Sequence, residues 1–139
     1  VVTNALNVAT ELASAQGVTV VVTGGMMRAS ELSLVGHITE QSLREVRVDK
    51  VILGMRAISL EEGMTNDYLP EVMTDRTIIE MARELIVVAD HSKFGKVASA
   101  YVAPVERITT LVTDASTDPG QLVFLEKTEP AVNVYLQVR

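Results

Sequence analysis

Short runs of β-branched and aliphatic residues recur along this chain, each closed by a small residue and then a polar or glycine turn. They are Val1-Val2-Thr3-Asn4, Val20-Val21-Val22-Thr23-Gly24-Gly25, Val87-Val88-Ala89-Asp90 and Leu111-Val112-Thr113-Asp114. Val51-Ile52-Leu53-Gly54 ends similarly, and an apolar run from Val132 to Val138 closes the sequence. Continuous runs of this length suit strands of a buried parallel sheet, while periodicity alone leaves buried helix open. Helical patterns lie between them. Ala5, Val8, Ala9, Leu12 and Ala13 share one helical face, with Thr3 or Asn4 available to cap it and Gly17 to end it. Thr39 to Val46 predicts a short helix with Leu43 and Val46 inward. Ile78, Ile79, Ala82 and Leu85 predict a long helix over 71–85. Asp118 and Pro119 open a last helix through Leu122, Leu125 and Glu126, because proline is tolerated in a first turn.

Strands alternating with helices predict an α/β fold built from right-handed crossovers. The polar stretch from Arg56 to Pro70, which contains Gly63, breaks that alternation. Long connections without structure of their own are uncommon in compact domains, so this one is read as a ligand loop or lid.

Composition narrows the picture. The chain of 139 residues is expected to form one domain, large enough for a real core. Its 47% apolar content comes from aliphatic residues, with only three Tyr and two Phe, which suits a sheet covered on both faces. No apolar run approaches the roughly 20 residues of a membrane-spanning helix. A net charge of −6 argues against this segment gripping nucleic acid by itself, since phosphate affinity needs clustered Lys and Arg. The absence of cysteine excludes disulfides, thiolate metal sites and a cysteine nucleophile, and is compatible with the cytosol. No signal or transit peptide is visible, and the first residue is Val1, so the chain is expected to be a piece of a longer protein.

Four polar residues of different chemistry follow the third run: Asp90, His91, Ser92 and Lys93. At the carboxyl end of a parallel strand such residues can hold a polyhydroxylated anion. The alternative is structural, with Asp90 and Ser92 capping a turn and Lys93 solvated. A serine nucleophile would need a base and an orienting acid converging on it, which adjacent residues rarely provide. Thr23-Gly24-Gly25 with Arg28 can present backbone N–H groups and a guanidinium to an anion, or can be a plain strand exit that needs glycine for its backbone. Neither a Walker A sequence nor a full dinucleotide glycine pattern is present. Arg56, Asn66, Asp67, Glu71 and Arg76 cluster around the long polar stretch, where they suit phosphate and sugar hydroxyls or a solvated, helix-capping surface. His37 and His91 are the only imidazoles, and no carboxylate stands at ligand spacing from them, so no metal site is expected.

Several segments together resemble the C-terminal sensor domain of DeoR-type transcriptional regulators. They are Val2-Thr3-Asn4, Thr23-Gly24-Gly25 with Arg28, Leu32 to Gly36, Leu53-Gly54 with Ile58, Glu62 to Asn66 and Ala89 to Gly95. The resemblance spans residues 1 to about 115, and Asp90-His91-Ser92-Lys93-Phe94-Gly95 is its strongest part. It implies a Rossmann-like, three-layer α/β/α fold with a mostly parallel sheet, similar to ribose-5-phosphate isomerase and CoA-transferase folds. It also implies a non-enzymatic sensor domain over residues 1–139 that works in the cytoplasm as a homo-oligomer, without a cofactor. The expected ligand is a phosphorylated sugar or related anionic metabolite. Operator DNA would be bound only through an N-terminal helix-turn-helix that this sequence lacks. Arg28, Arg56 and Lys93 would face the phosphate, and Asn66, Glu71 and Asp90 the hydroxyls. Asn4, Gly24, Gly25, His91 and Ser92 complete the expected set.

The sequence departs from the family pattern in places. It begins at the family's second sensor strand, without the Asp-x-Gly-Thr-Thr phosphate loop of the first. It has Gly54-Met55-Arg56 where many members have Gly-Val-Asp, and Asp75-Arg76 where many have Lys-Arg. The competing reading is a sugar-phosphate isomerase or CoA-transferase-like enzyme, for which Glu71 and Asp90 are the available proton acceptors.

Overall fold

The computed structural model describes residues 1–128 and 130–137, and the chain divides into two compact units, Val1–Arg47 and Val48–Arg139. In the first unit, β1 (Val2–Thr3), α1 (Leu6–Leu12) and β2 (Val21–Val22) form a small crossover in which the two strands pair in parallel. The predicted cap is not made. Ala5 occupies the capping position, and Thr3 Oγ1 only accepts the N–H of Ala5 at 3.0 Å. The expected apolar face of α1 is not core, since no residue of the helix is buried. Gly17 takes a left-handed turn, with φ of +75°, beyond the end of the helix. Next, β3 (Met26–Arg28) pairs antiparallel with β4 (Ser33–Val35), so Met26-Met27-Arg28 is strand rather than loop. The unit ends in α2 (His37–Arg44), which starts and stops two residues before the predicted helix and turns Thr39 and Leu43 inward.

The second unit opens with β5 (Val48–Gly54). The stretch read as a loop or lid is instead a buried hairpin, β6 (Ala57–Ser59) and β7 (Gly63–Asn66). Every residue of both strands is buried, with Ile58 and Met64 at 1% and 0% exposure. Its polar sequence misleads because the polar groups close the turn: Ser59 Oγ accepts the N–H of Glu62 at 3.1 Å. Gly63 has φ of +79°, and a Cβ there would lie 2.7 Å from the carbonyl oxygen of Ala103, so the turn requires glycine.

The predicted long helix is also corrected. α3 (Leu69–Met81) ends four residues early, and β8 (Ala82–Val88) follows without a connecting loop. Ala82 already has extended backbone, with ψ of 129°. Ala82 and Leu85 continue the helical spacing by coincidence. The β-branched run Ile86-Val87-Val88 needs strand partners, and it finds them in β5 on one side and β10 on the other.

The remaining elements are β9 (Ala100–Ala103), which extends the hairpin, then β10 (Thr110–Asp114), α4 (Pro119–Glu126) and β11 (Asn133–Gln137). The start of α4 is as predicted: Asp118 accepts the N–H groups of Gly120 and Gln121. Val138, the end of the last apolar run, lies outside the described residues.

The central sheet has the order β11-β10-β8-β5, and all its neighbours are parallel. In register, Leu53, Val87, Leu111 and Val134 form one apolar row across it. On that face Val51, Leu85, Val87 and Leu111 are buried, each worth about 1.5–3 kcal/mol of transfer free energy. α3 packs against β5 and β8, and α4 against β11. This is the α/β fold with a mostly parallel, helix-flanked sheet expected of the Rossmann-like class. The second face is less covered than composition predicted, because alternate residues turn outward: Ile52, Val88 and Tyr135 are 73%, 45% and 61% exposed.

Candidate functional site

Parallel pairing places the carboxyl ends of β5, β8, β10 and β11 along one edge of the sheet. Gly54, Asp114 and Gln137 end three of these strands, and Asp90 follows the fourth. A cavity of about 370 Å³ opens there, lined among others by Gly54, Asp90, Lys93, Thr113, Asp114 and Gln137. A second cavity of about 410 Å³ shares Asp90, Asp114 and Gln137 and adds His91 and Ser116. This is where the open α/β class binds ligands, because strand ends and loop N–H groups converge on one crevice.

The turn after β8 is built locally. Asp90 is its cap: Oδ1 accepts the N–H of Ser92 at 2.8 Å, and Lys93 N–H donates to the carbonyl of Asp90 at 3.0 Å. The Ser92 hydroxyl and N–H hold the Asp90 carboxyl below the usual carboxylate range, helped by the charge of Lys93. The turn is anchored at its far end by Gly95, whose N–H donates to the carbonyl of Ile58 in the buried hairpin at 2.9 Å. The capping role weighed for Asp90 is therefore real, yet Asp90 and Lys93 also line the cavity.

Asp114 fixes the turn from the neighbouring strand. One oxygen accepts the backbone N–H of His91 at 2.7 Å, and the other accepts that of Ser116 at 2.9 Å. His91 Nδ1 lies 3.0 and 3.1 Å from the two oxygens. The His91 backbone N–H is the largest cause holding the Asp114 carboxyl far below its ordinary range. Desolvation is the next largest influence and opposes it, while the Ser116 N–H and the His91 ring add to the lowering. Asp90, His91 and Asp114 thus bring three donor atoms within 4.8 Å of one another. Chain spacing shows no carboxylate at ligand distance from a histidine, but the fold supplies two. The Nδ1–Asp114 contact competes with a cation, since a nitrogen that keeps its proton has no lone pair to give.

The other expected residues are placed as follows. Arg56 donates from Nε to Asp67 at 3.3 Å in an exposed ion pair. Asn66 is 5% exposed, and its amide donates to Glu71 and to buried Asp75 at 3.2 and 3.1 Å, so these groups are held to one another. In the first unit, Asn4 donates to the carbonyl of Leu34 at 3.0 Å, which ties it to β4. Arg28 lies 4.0 Å from Glu31. Gly24 and Gly25 have a packing reason: a Cβ on Gly25 would meet Thr39 Oγ1 at 2.0 Å, and one on Gly24 would meet Ile38 at 2.9 Å. His37 is an exposed residue at the start of α2.

Asp114, Thr113 and Gln137 are cavity residues absent from the expected set. The signal for Asp114 was present, since it closes an apolar run just as Asp90 does.

A family model described as the DeoR C-terminal sensor domain matches residues 1–115. The chain is similar to the putative aga operon transcriptional repressor of Escherichia coli O157:H7, at 35% identity over 125 residues, covering 90% of this chain and 46% of that protein. It is 33% identical over 115 residues to the glycerol-3-phosphate regulon repressor of Escherichia coli (strain K12), covering 83% and 46%. Against the HTH-type transcriptional repressor GlcR of Bacillus subtilis (strain 168), identity is 32% over 114 residues, covering 82% and 44%. The chain spans about half the length of the curated relatives it matches.

Proposed function

The chain belongs to the DeoR C-terminal sensor domain family, and from that premise we propose that it is the effector-sensing part of a carbohydrate-operon repressor, binding a phosphorylated sugar in the cavity at the strand ends. The observation that carries this reading is the cavity itself. Among the described residues its wall combines one ammonium, Lys93, with the carboxylate of Asp90 and the amide of Gln137, beside Asp114, whose two oxygens are engaged by His91 and Ser116. A cation beside several acceptors suits a ligand with an anionic group and several hydroxyls. Of the expected residues, Asp90 and Lys93 line this cavity, and Asp90 and His91 line the second.

Binding would act on operator affinity through a DNA-binding domain in a longer protein. The net charge of −6 supports that division of labour, because this segment has no excess of cations to hold phosphates. A coupling of about 1–3 kcal/mol between effector and operator would change operator affinity roughly 5–150-fold. The reading places the protein in the cytoplasm as a homo-oligomer. Among the described residues no helix is long and apolar enough to cross a membrane.

Isothermal titration with glycerol 3-phosphate, hexose 6-phosphates and ketohexose 1-phosphates, each beside its unphosphorylated parent, tests the proposal. Binding of a phosphorylated member, weakened at least tenfold by Lys93→Ala, is the expected result. Binding that ignores Lys93→Ala, or no binding by any member, overturns it. Steady turnover of a bound sugar phosphate would make the protein an enzyme instead.

A further inference from the structure

The carboxylate of Asp114 can only accept hydrogen bonds when ionised, and the contacts from His91 N–H and Ser116 N–H favour that state. The His91 Nδ1 that faces it at 3.0 Å must then be the ring nitrogen carrying the hydrogen. Nε2 of a neutral His91 is left with a free lone pair. Among the described residues it has no hydrogen-bond partner, the side chain is 54% exposed, and the ring lines the second cavity. Backbone and ring of His91 are held by the same carboxylate, so the direction of the free nitrogen is set by β10 rather than by the turn.

We infer that Asp114 is a positioning residue that makes His91 Nε2 a hydrogen-bond acceptor for a hydroxyl of the bound ligand. This rests on the sugar-phosphate reading above and sharpens it: the ligand extends from the first cavity, lined by Lys93, into the second, lined by His91, the two sharing Asp90, Asp114 and Gln137. Lys93 supplies charge, whereas His91 Nε2 reads a specific hydroxyl, and a site built to pair a hydroxyl rejects an analogue lacking it. Without Asp114 the ring is free to turn, and it reverts to the Nε2–H form that imidazole favours in water. That form presents a donor where the hydroxyl needs an acceptor.

Long-range ¹⁵N NMR of the full chain at a pH where both histidines are neutral reads the tautomer directly. The expected result is His91 with protonated Nδ1 and unprotonated Nε2. Asp114→Ala should shift the signal to the Nε2–H form, and Asp114→Asn, which keeps an acceptor oxygen, should restore part of the original pattern. A wild-type His91 in the Nε2–H form, or a tautomer unchanged in Asp114→Ala, overturns the inference.

The second arm is affinity. Asp114→Ala should weaken whichever of glycerol 3-phosphate or the hexose phosphates binds by about tenfold, and should leave inorganic phosphate unaffected. Equal loss for phosphate and sugar phosphate would mean general damage to the site, and no loss for either would mean His91 reads nothing; both overturn the inference. If no sugar phosphate binds the wild type, the function proposed above falls with it, whereas wild-type binding retained in Asp114→Ala defeats the positioning role alone. Should Asp114→Ala fail to fold, His91→Phe must reproduce the same selective loss.

Discussion

The backbone N–H of His91 donates to Asp114 across 2.7 Å, so the last residue of β10 fixes the turn that leaves β8. Both carboxyls of the site are held below the ordinary range, Asp90 by the hydroxyl and N–H of Ser92 and Asp114 chiefly by the N–H of His91. A carboxyl with a depressed folded pKa stabilises the protein above its unfolded value, near pH 4, and loses that contribution as pH falls through the folded value. The melting temperature of Asp114→Asn should therefore lie below that of the wild type at about pH 5. The margin should shrink as acid protonates the site. A margin that widens on acidification would contradict the assignment.

The buried hairpin is a core element, and its side chains should behave accordingly. Met64→Ala removes a side chain with 0% exposure and should cost about 2–5 kcal/mol in denaturant unfolding. Ile52→Ala, on a side chain 73% exposed, should stay within about 0.5 kcal/mol. If the two substitutions cost the same, the hairpin is not packed as described.

Two glycines of the first unit separate backbone strain from crowding. Gly17 has φ of +75° with open space around it, so Gly17→Ala should cost about 1–2 kcal/mol from conformation alone. Gly25→Ala meets Thr39 Oγ1 at 2.0 Å and the carbonyl of Val35 at 2.9 Å, besides a φ of +135°, and should cost clearly more. Thr39 also donates to the carbonyl of Gly24 at 2.6 Å, so amide exchange in α2 should accelerate with Gly25→Ala and not with Gly17→Ala.

Arg107 donates from its guanidinium to the carbonyl of Ile79 at 2.8 Å, adding a second, charged donor to an end carbonyl of α3 that already accepts the N–H of Ala82. Arg107→Ala should destabilise by about 1–2 kcal/mol and speed amide exchange in the last turn of that helix. Exchange unchanged there would show that water replaces the guanidinium without cost.

Much of this was legible in the chain. The apolar runs at Val51, Val87, Leu111 and Val132 each proved to belong to the central sheet. Asp118 announced α4, because a carboxylate one residue before proline can satisfy the orphan N–H groups of a first turn. The motifs between Val2 and Gly95 pointed to the family that the chain belongs to, and the resemblance read over residues 1 to about 115 agrees with the family match over 1–115. The border at Met81–Ala82 was not legible, because small and aliphatic residues there satisfy helical and strand spacing alike. The hairpin from Ala57 to Asn66 was hidden by polar residues that find partners within its turn, as Ser59 does with Glu62, or beyond it, as Asn66 does with Glu71 and Asp75.

By itself, then, the sequence determined the alternation of strands and helices, the polar turn after β8 and the membership in a sensor family. Each of those depends on residues close together in the chain, whose periodicity and capping chemistry act over one or two turns. Only the tertiary structure decided which groups meet. Parallel register brought Asp114 to His91 across 23 positions, while burial committed Asn66 to Glu71 and Asp75. Those pairings follow from sheet order and packing, which no local pattern encodes.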